Sequence, residues 1–236
     1  MLILSPALSG AGWRWQDACL RSLTCPEAPR LGTEPSTSAV AGRDEMVVHD
    51  IIAVGASSGG VVALRQVVSH FPRDLPASVF VVLHVSPEGR SLLPEILAKA
   101  GSLPASHPGN GSPVERRCIY VAPPGYDLTV LNHRILLGRG APGSQHHPSI
   151  NALFRSVAGE FGKRVVGVVL SGSLEDGAAG LLAIKQRGGV AIVEDPATAQ
   201  YRGMPDSALA RVNADFVLPM EEIGPKLVEL ATGVRG

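Results

Sequence analysis

The apolar positions of this chain fall into short runs whose period switches back and forth. "VVHDIIAV" is β-branched and of strand length, and "GVVALRQVVSHF" places Val61, Leu64, Val67 and Val68 on one helical face. "ASVFVVLHV" is continuously apolar, as a strand covered on both sheet faces would be. "RSLLPEILAKAG" reads as a helix closed by Gly101. The texture then changes: "CIYVAPPGYDLTVLNHRILLGRG" is a set of short strands with turn residues between them, a small antiparallel excursion. "HPSINALFRSVAGEFG" returns to helix, with Pro148 near its first turn and Gly162 at its end. "RVVGVVLSG" is strand, "EDGAAGLLAIKQRGG" helix, "VAIVED" strand, "DSALARVNA" helix, "FVLP" a short strand and "EEIGPKLVEL" a closing helix. This alternation predicts an α/β fold: a doubly wound, mostly parallel sheet flanked by helices in three Rossmann-like layers, with the antiparallel excursion added. Ligands on such sheets sit beyond the carboxyl ends of the strands, so the residues after each strand are where chemistry is expected.

Composition divides the chain in two. With 236 residues and 45% hydrophobic content, residues 46–236 can build one core. Residues 1–45, which hold Trp13, Trp15, Cys19 and Cys25 and end in "RLGTEPSTSAVAGRDE", have no sustained period and read as a disordered or poorly packed tail. "MLILSPALSG" lacks the positive segment of a secretory signal, and Met46, directly before the first strand, is a second candidate start. The short apolar runs predict no membrane span. A formal net charge of zero gives no field for nucleic acid. Three cysteines make no disulfide framework, which fits a reducing cytoplasm, and Cys118 in "RRCIYVAPP" reads as a small core residue.

Three strand ends deliver three complementary groups. The first strand leads into "GASSGG" and presents Ser57; "VVLHV" presents His84; "VVGVVL" leads into "SGSLEDGAAG" and presents Asp176. A serine hydroxyl becomes a nucleophile when a base takes its proton, and the base needs an acceptor that holds its tautomer. Taken singly, Ser57 and Asp176 read as helix caps and His84 as a half-buried histidine; jointly, on one sheet edge, they form a candidate triad. It requires Ser57 Oγ within reach of His84 Nε2, with Asp176 on the ring's far side. His146 and His147 are candidates on the substrate side. No spacing of ligands suggests a metal, and no cofactor is expected.

Glycine-rich turns after strands also hold nucleotides. "VGASSGG" is similar to the turn of short-chain dehydrogenases, yet Tyr120, Tyr126 and Tyr201 are followed four residues on by Pro124, Val130 and Pro205, never by the lysine those enzymes need. G-x-G-x-x-G is absent at this turn, and no lysine follows to make a P-loop. "GASSG" does match G-x-S-x-G, the sharp turn that exposes a serine. The α/β-hydrolase order, serine then acid then histidine, would leave Asp176 unused, so Ser57, His84, Asp176 is preferred.

From residue 48 onward the chain resembles the catalytic domain of the chemotaxis protein-glutamate methylesterases. The resemblance rests on "IIAVGASSGG", "VVLHVSP", "YVAPPG", "HHPSINALF", "VVGVVLSGSLEDGAAGLLAIKQRGG" and "YRGMPDSAL" occurring in order. It implies Ser57 as nucleophile, His84 as base and Asp176 as orienting acid. It also implies hydrolysis of glutamyl methyl esters on a methylated chemoreceptor or similar protein, with deamidation of glutamines at the same kind of site. Oxyanion and substrate contacts would come from Ser58, Gly172, Ser173, Met204 and His147. Four departures mark the substrate rim: Ser173 stands where methionine is usual, Leu174 where glycine is usual, His147 where many relatives have arginine, and the histidine often seen after the "APP" turn is replaced around Tyr126 and Asp127. The family's phospho-accepting receiver domain does not fit in 45 residues, so a free-standing catalytic domain is expected, for which any regulation would have to come from a separate partner. A non-catalytic binding module is the alternative, suggested by the altered loop; a nicotinamide-dependent reductase is a third reading, suggested by the glycine turn alone.

Overall fold

In the computed structural model, which describes residues 48–85, 91–139 and 148–233, the period changes seen in the sequence become real elements. The first half contains β1 (Ile51–Ala56), α1 (Gly60–Ser69), β2 (Ser78–Leu83), α2 (Leu93–Ala100), β3 (Ala105–Ser106), β4 (Ile119–Val121), β5 (Asp127–Leu131) and β6 (Arg134–Gly138). The second half contains α3 (Ile150–Phe161), β7 (Val165–Val169), α4 (Ala178–Gln186), β8 (Val190–Glu194), α5 (Gly203–Arg211), β9 (Phe216–Leu218) and α6 (Met220–Thr232). The tail expected over residues 1–45, with its two tryptophans and two cysteines, lies outside the described residues.

Seven strands form one sheet in the order β3-β4-β2-β1-β7-β8-β9, and every pair in it is parallel. Alternating side chains feed two apolar layers, because successive strand residues point to opposite faces. Ile52, Val54, Val79, Val81, Val166 and Val168 pack with α1, α2 and α6. Ala53, Phe80, Val82, Val165, Val169 and Val193 pack with α3, α4, α5 and the β5–β6 hairpin. The expected doubly wound, three-layer arrangement is therefore the observed one. β1 sits centrally, and the chain winds to β2 on one side and later to β7 on the other. The end of β1 is thus the topological switch point, where such folds open a crevice.

Two details differ from the sequence expectation. Ile119–Val121, expected in the antiparallel excursion, pairs parallel with β2 and β3 in the main sheet; only β5 and β6 form the antiparallel pair. All three residues of β4 are buried, and so short a run carries no alternation from which to assign a sheet. Helix α5 also starts at Gly203, ahead of "DSALARVNA", because Pro205 in a first turn has no amide to lose. No helix among the described residues is long and apolar enough to cross a membrane.

Candidate active site

The parallel ladder runs on past the ends of the three central strands. His84 N–H donates to Ala56 O at 3.1 Å, and Ser57 N–H donates to Ser171 O at 3.0 Å. The continuations of β2, β1 and β7 therefore lie side by side at the switch point, with the Ser57 turn in the middle.

At that turn the helix start does not use either serine. The N-cap of α1 is Gly59, at φ 76°, and no side chain caps the helix. The left-handed backbone favours glycine there, and a Cβ on Gly59 would also meet Gln200 Oε1 at 2.6 Å. The cap reading of Ser57 is thereby removed. Ser57 is half-buried and Ser58 exposed.

His84 and Asp176 meet across β1. His84 Nε2 donates to Asp176 Oδ2 at 2.9 Å. The ring is therefore turned opposite to the sequence expectation, which put Nε2 on the serine. Reach explains the difference. Adjacent strands are about 4.8 Å apart, β1 separates β2 from β7, and Nε2 is the ring nitrogen that extends farther from the backbone. Because a carboxylate only accepts, Nε2 carries the proton and Nδ1 the lone pair.

Asp176 is buried and held by the start of a helix distant in sequence. Its Oδ2 also accepts from Ile150 N–H at 2.7 Å, and its Oδ1 accepts from Asn151 N–H at 3.1 Å and Gly177 N–H at 3.0 Å. Ile150 and Asn151 open α3, whose N-cap Ser149 accepts from Ala152 N–H at 3.3 Å. Helix N-termini favour anions. Burial pushes the Asp176 carboxyl up, but the hydrogen bonds from His84, Ile150 and Asn151 hold it below the usual aspartate value.

The loop after β7 forms the other wall. Gly172 N–H donates to Tyr201 O at 2.9 Å, so this amide is committed and does not face a substrate. Met204 N–H donates to Gly172 O at 2.8 Å. Met204, expected at the substrate rim, is 1% exposed and lies behind Gly172. A Cβ on Gly172 would collide with Met204 Sδ and approach Ser57 Cβ to 2.9 Å, so glycine is needed for close packing. Ser173 Oγ donates to Ser58 Oγ at 3.1 Å, linking the two loops. The backbone amides of Ser58 and Ser173 have no acceptor among the described residues. His146 and His147 lie outside the described residues. No three His, Cys, Asp or Glu side chains among the described residues are grouped as a metal site requires.

Several residues at this edge escaped the sequence reading. Ser149, Ile150 and Asn151 sit in the quoted "HPSINALF", but nothing local shows that they hold an aspartate more than twenty positions away. Ser171 and Glu194 each end or follow a strand, and the strand-end rule could have found them.

The model of the family described as CheB methylesterase matches residues 52–227. A Methanosarcina mazei protein-glutamate methylesterase/protein-glutamine glutaminase is 33% identical over 196 residues, covering 80% of this chain and 53% of the relative. The corresponding Moorella thermoacetica protein is 36% identical over 189 residues, covering 78% of this chain and 45% of the relative. The chain thus spans about half the length of these curated relatives. The crystal structure of the Thermotoga maritima CheB methylesterase catalytic domain superposes with a TM-score of 0.73 at 29% identity, covering 78% of this chain and all of that one.

Proposed function

The chain belongs to the CheB methylesterase family, and from that premise we propose that it is a serine hydrolase. Its substrates are methyl esters on glutamate side chains of a chemoreceptor-like helical protein on the cytoplasmic side, with glutamine carboxamides as a second substrate. The observation that carries this reading is the His84–Asp176 pair, 2.9 Å long, at the sheet edge where Ser57, which caps no helix, follows β1.

The hydrogen bonds of Asp176 support the following chemistry. Asp176 fixes His84 as the Nε2–H tautomer, so Nδ1 is the base that takes the Ser57 proton as Oγ attacks the ester carbonyl. The tetrahedral oxyanion accepts from Ser58 N–H, next to the positive end of α1, and from Ser173 N–H. His84 returns the proton to the leaving methanol. Water, deprotonated by the same nitrogen, then clears the acyl-enzyme and leaves glutamate on the protein. Ser57 and Ser58 stand at the crevice edge, with Gly172 and Met204 forming the wall behind them.

Methanol release from methyl-labelled receptor tests the proposal: the intact chain should release it, and Ser57→Ala should abolish release. A Ser57→Ala chain as fast as the intact one defeats the reading. One observation favours a second reading, a binding module that keeps the fold: the Gly172 amide is committed to Tyr201 O. Labelling by a fluorophosphonate separates the two, since a binding module would leave Ser57 unmodified.

A further inference from the structure

A buried carboxyl group that the proposed mechanism does not use lies directly behind the Ser57 turn. Glu194, the last residue of β8, is 2% exposed, and its Oε2 accepts the Ser171 N–H at 2.7 Å. Val169 and Val193 are the last β7–β8 partners in register. Beyond them a side-chain oxygen takes over the acceptor role that a strand carbonyl would otherwise fill. Ser171 is itself 1% exposed, so without Glu194 its amide would be buried and unsatisfied.

Ser171 is also where three strand-end loops meet. Its carbonyl accepts from Ser57 N–H at 3.0 Å. Its hydroxyl donates to Ser58 O at 3.0 Å and accepts from Tyr201 N–H at 2.9 Å. The next residue, Gly172, closes the loop on Tyr201 and Met204. A carboxyl buried for a single amide bond is not the cheapest way to satisfy that amide, since burial disfavours its charge. The cost falls at a residue hydrogen-bonded both to the Ser57 turn and to Tyr201 behind the opposing wall.

We propose that Glu194 is a positioning residue for the Ser57 turn: by holding Ser171, it sets the distance between the nucleophile and the Gly172–Ser173 wall. The proposal rests on the esterase reading of Ser57, and it deepens that reading. What matters is the acceptor, so a carboxamide oxygen at this position should serve and a thioether of similar volume should not.

The test compares Glu194→Met and Glu194→Gln with the intact chain in ester hydrolysis, with folding checked by thermal unfolding. The expected result is a folded Glu194→Met protein whose kcat is down about tenfold or more, with KM within about twofold. Glu194→Gln should stay within about threefold of the intact chain. The proposal is overturned by a Glu194→Met protein of undiminished kcat, by Glu194→Gln as slow as Glu194→Met, or by a Glu194→Met chain that does not fold, which would make the residue one of stability alone. If the intact chain hydrolyses no ester, the esterase reading fails separately, and amide hydrogen exchange decides the Glu194 contact. Faster exchange over residues 55–60 in Glu194→Met but not in Glu194→Gln sustains it; unchanged exchange overturns it.

Discussion

Asp176 divides its work between two oxygens. Oδ2 takes the His84 ring and the Ile150 amide, while Oδ1 takes the Asn151 and Gly177 amides. Asp176→Asn keeps the shape but presents an amide NH2 to some of these donors. The expected outcome is a kcat lower by about a thousandfold or more, with a stability loss of about 1–3 kcal/mol from unsatisfied buried donors. Steady-state kinetics and urea titration check both; an unchanged kcat would remove Asp176 from the mechanism. At this scale the sequence revealed which side chains to suspect, because strand-end positions are readable from period changes. That Asp176 meets Nε2 was not readable, since it depends on a reach across β1.

Helix α3 connects the elements to the site. Its first amides hold Asp176, its N-cap is Ser149, and Asp127 at the start of β5 accepts Ser149 N–H at 2.7 Å. Ser149→Ala should cost about 1 kcal/mol, as loss of a cap does, and lower Tm by about 2–4 °C. The rate should fall severalfold with it, because the loosened first turn carries the amides that hold the carboxylate. Thermal unfolding with parallel hydrolysis assays measures the two together; a Tm equal to that of the intact chain would count against the cap. The helix itself was plain from Ile150, Leu153, Phe154 and Val157 at helical spacing. Its docking against Asp176 was not, because that contact joins segments far apart in the chain. β4 was misassigned for a related reason: a fully buried three-residue strand is placed by its neighbours.

Across the molecule, buried charge sets how stability responds to pH. Asp176 and Asp50 both have carboxyls below the usual value. For Asp50 burial is outweighed by hydrogen bonds from Arg164 (2.8 and 2.7 Å) and Arg116 (2.6 Å). Their contribution is present above the ordinary aspartate pKa and is lost as pH falls through the lowered folded values. His49, lowered chiefly by burial, adds to the same acid-side loss, because the unfolded chain binds its proton first. Glu194 runs the other way: burial pushes its carboxyl up, so the folded state holds the proton and stability declines as pH rises through that raised value. Denaturation followed from about pH 3 to pH 8 should show stability climbing out of acid. The difference between Glu194→Gln and the intact chain should grow in favour of the variant as pH rises. A difference that does not change with pH would mean that Glu194 does not titrate in this range.

Much of this protein is set locally. Periods of two and about 3.6 in the apolar residues marked most of the strands and helices, and their alternation called for a parallel, doubly wound sheet because crossovers leave little else. Glycine, serine, histidine and aspartate at strand ends marked the edge where the chemistry was expected. Only the tertiary structure decided that Nε2 of His84 faces Asp176, that the N-terminus of α3 holds that carboxylate, that Gly172 commits its amide to Tyr201, and that Glu194 stands behind Ser171. Each of these is a hydrogen bond between segments distant along the chain. Such bonds depend on how loops meet after the sheet has assembled, and no periodicity within a single segment encodes them.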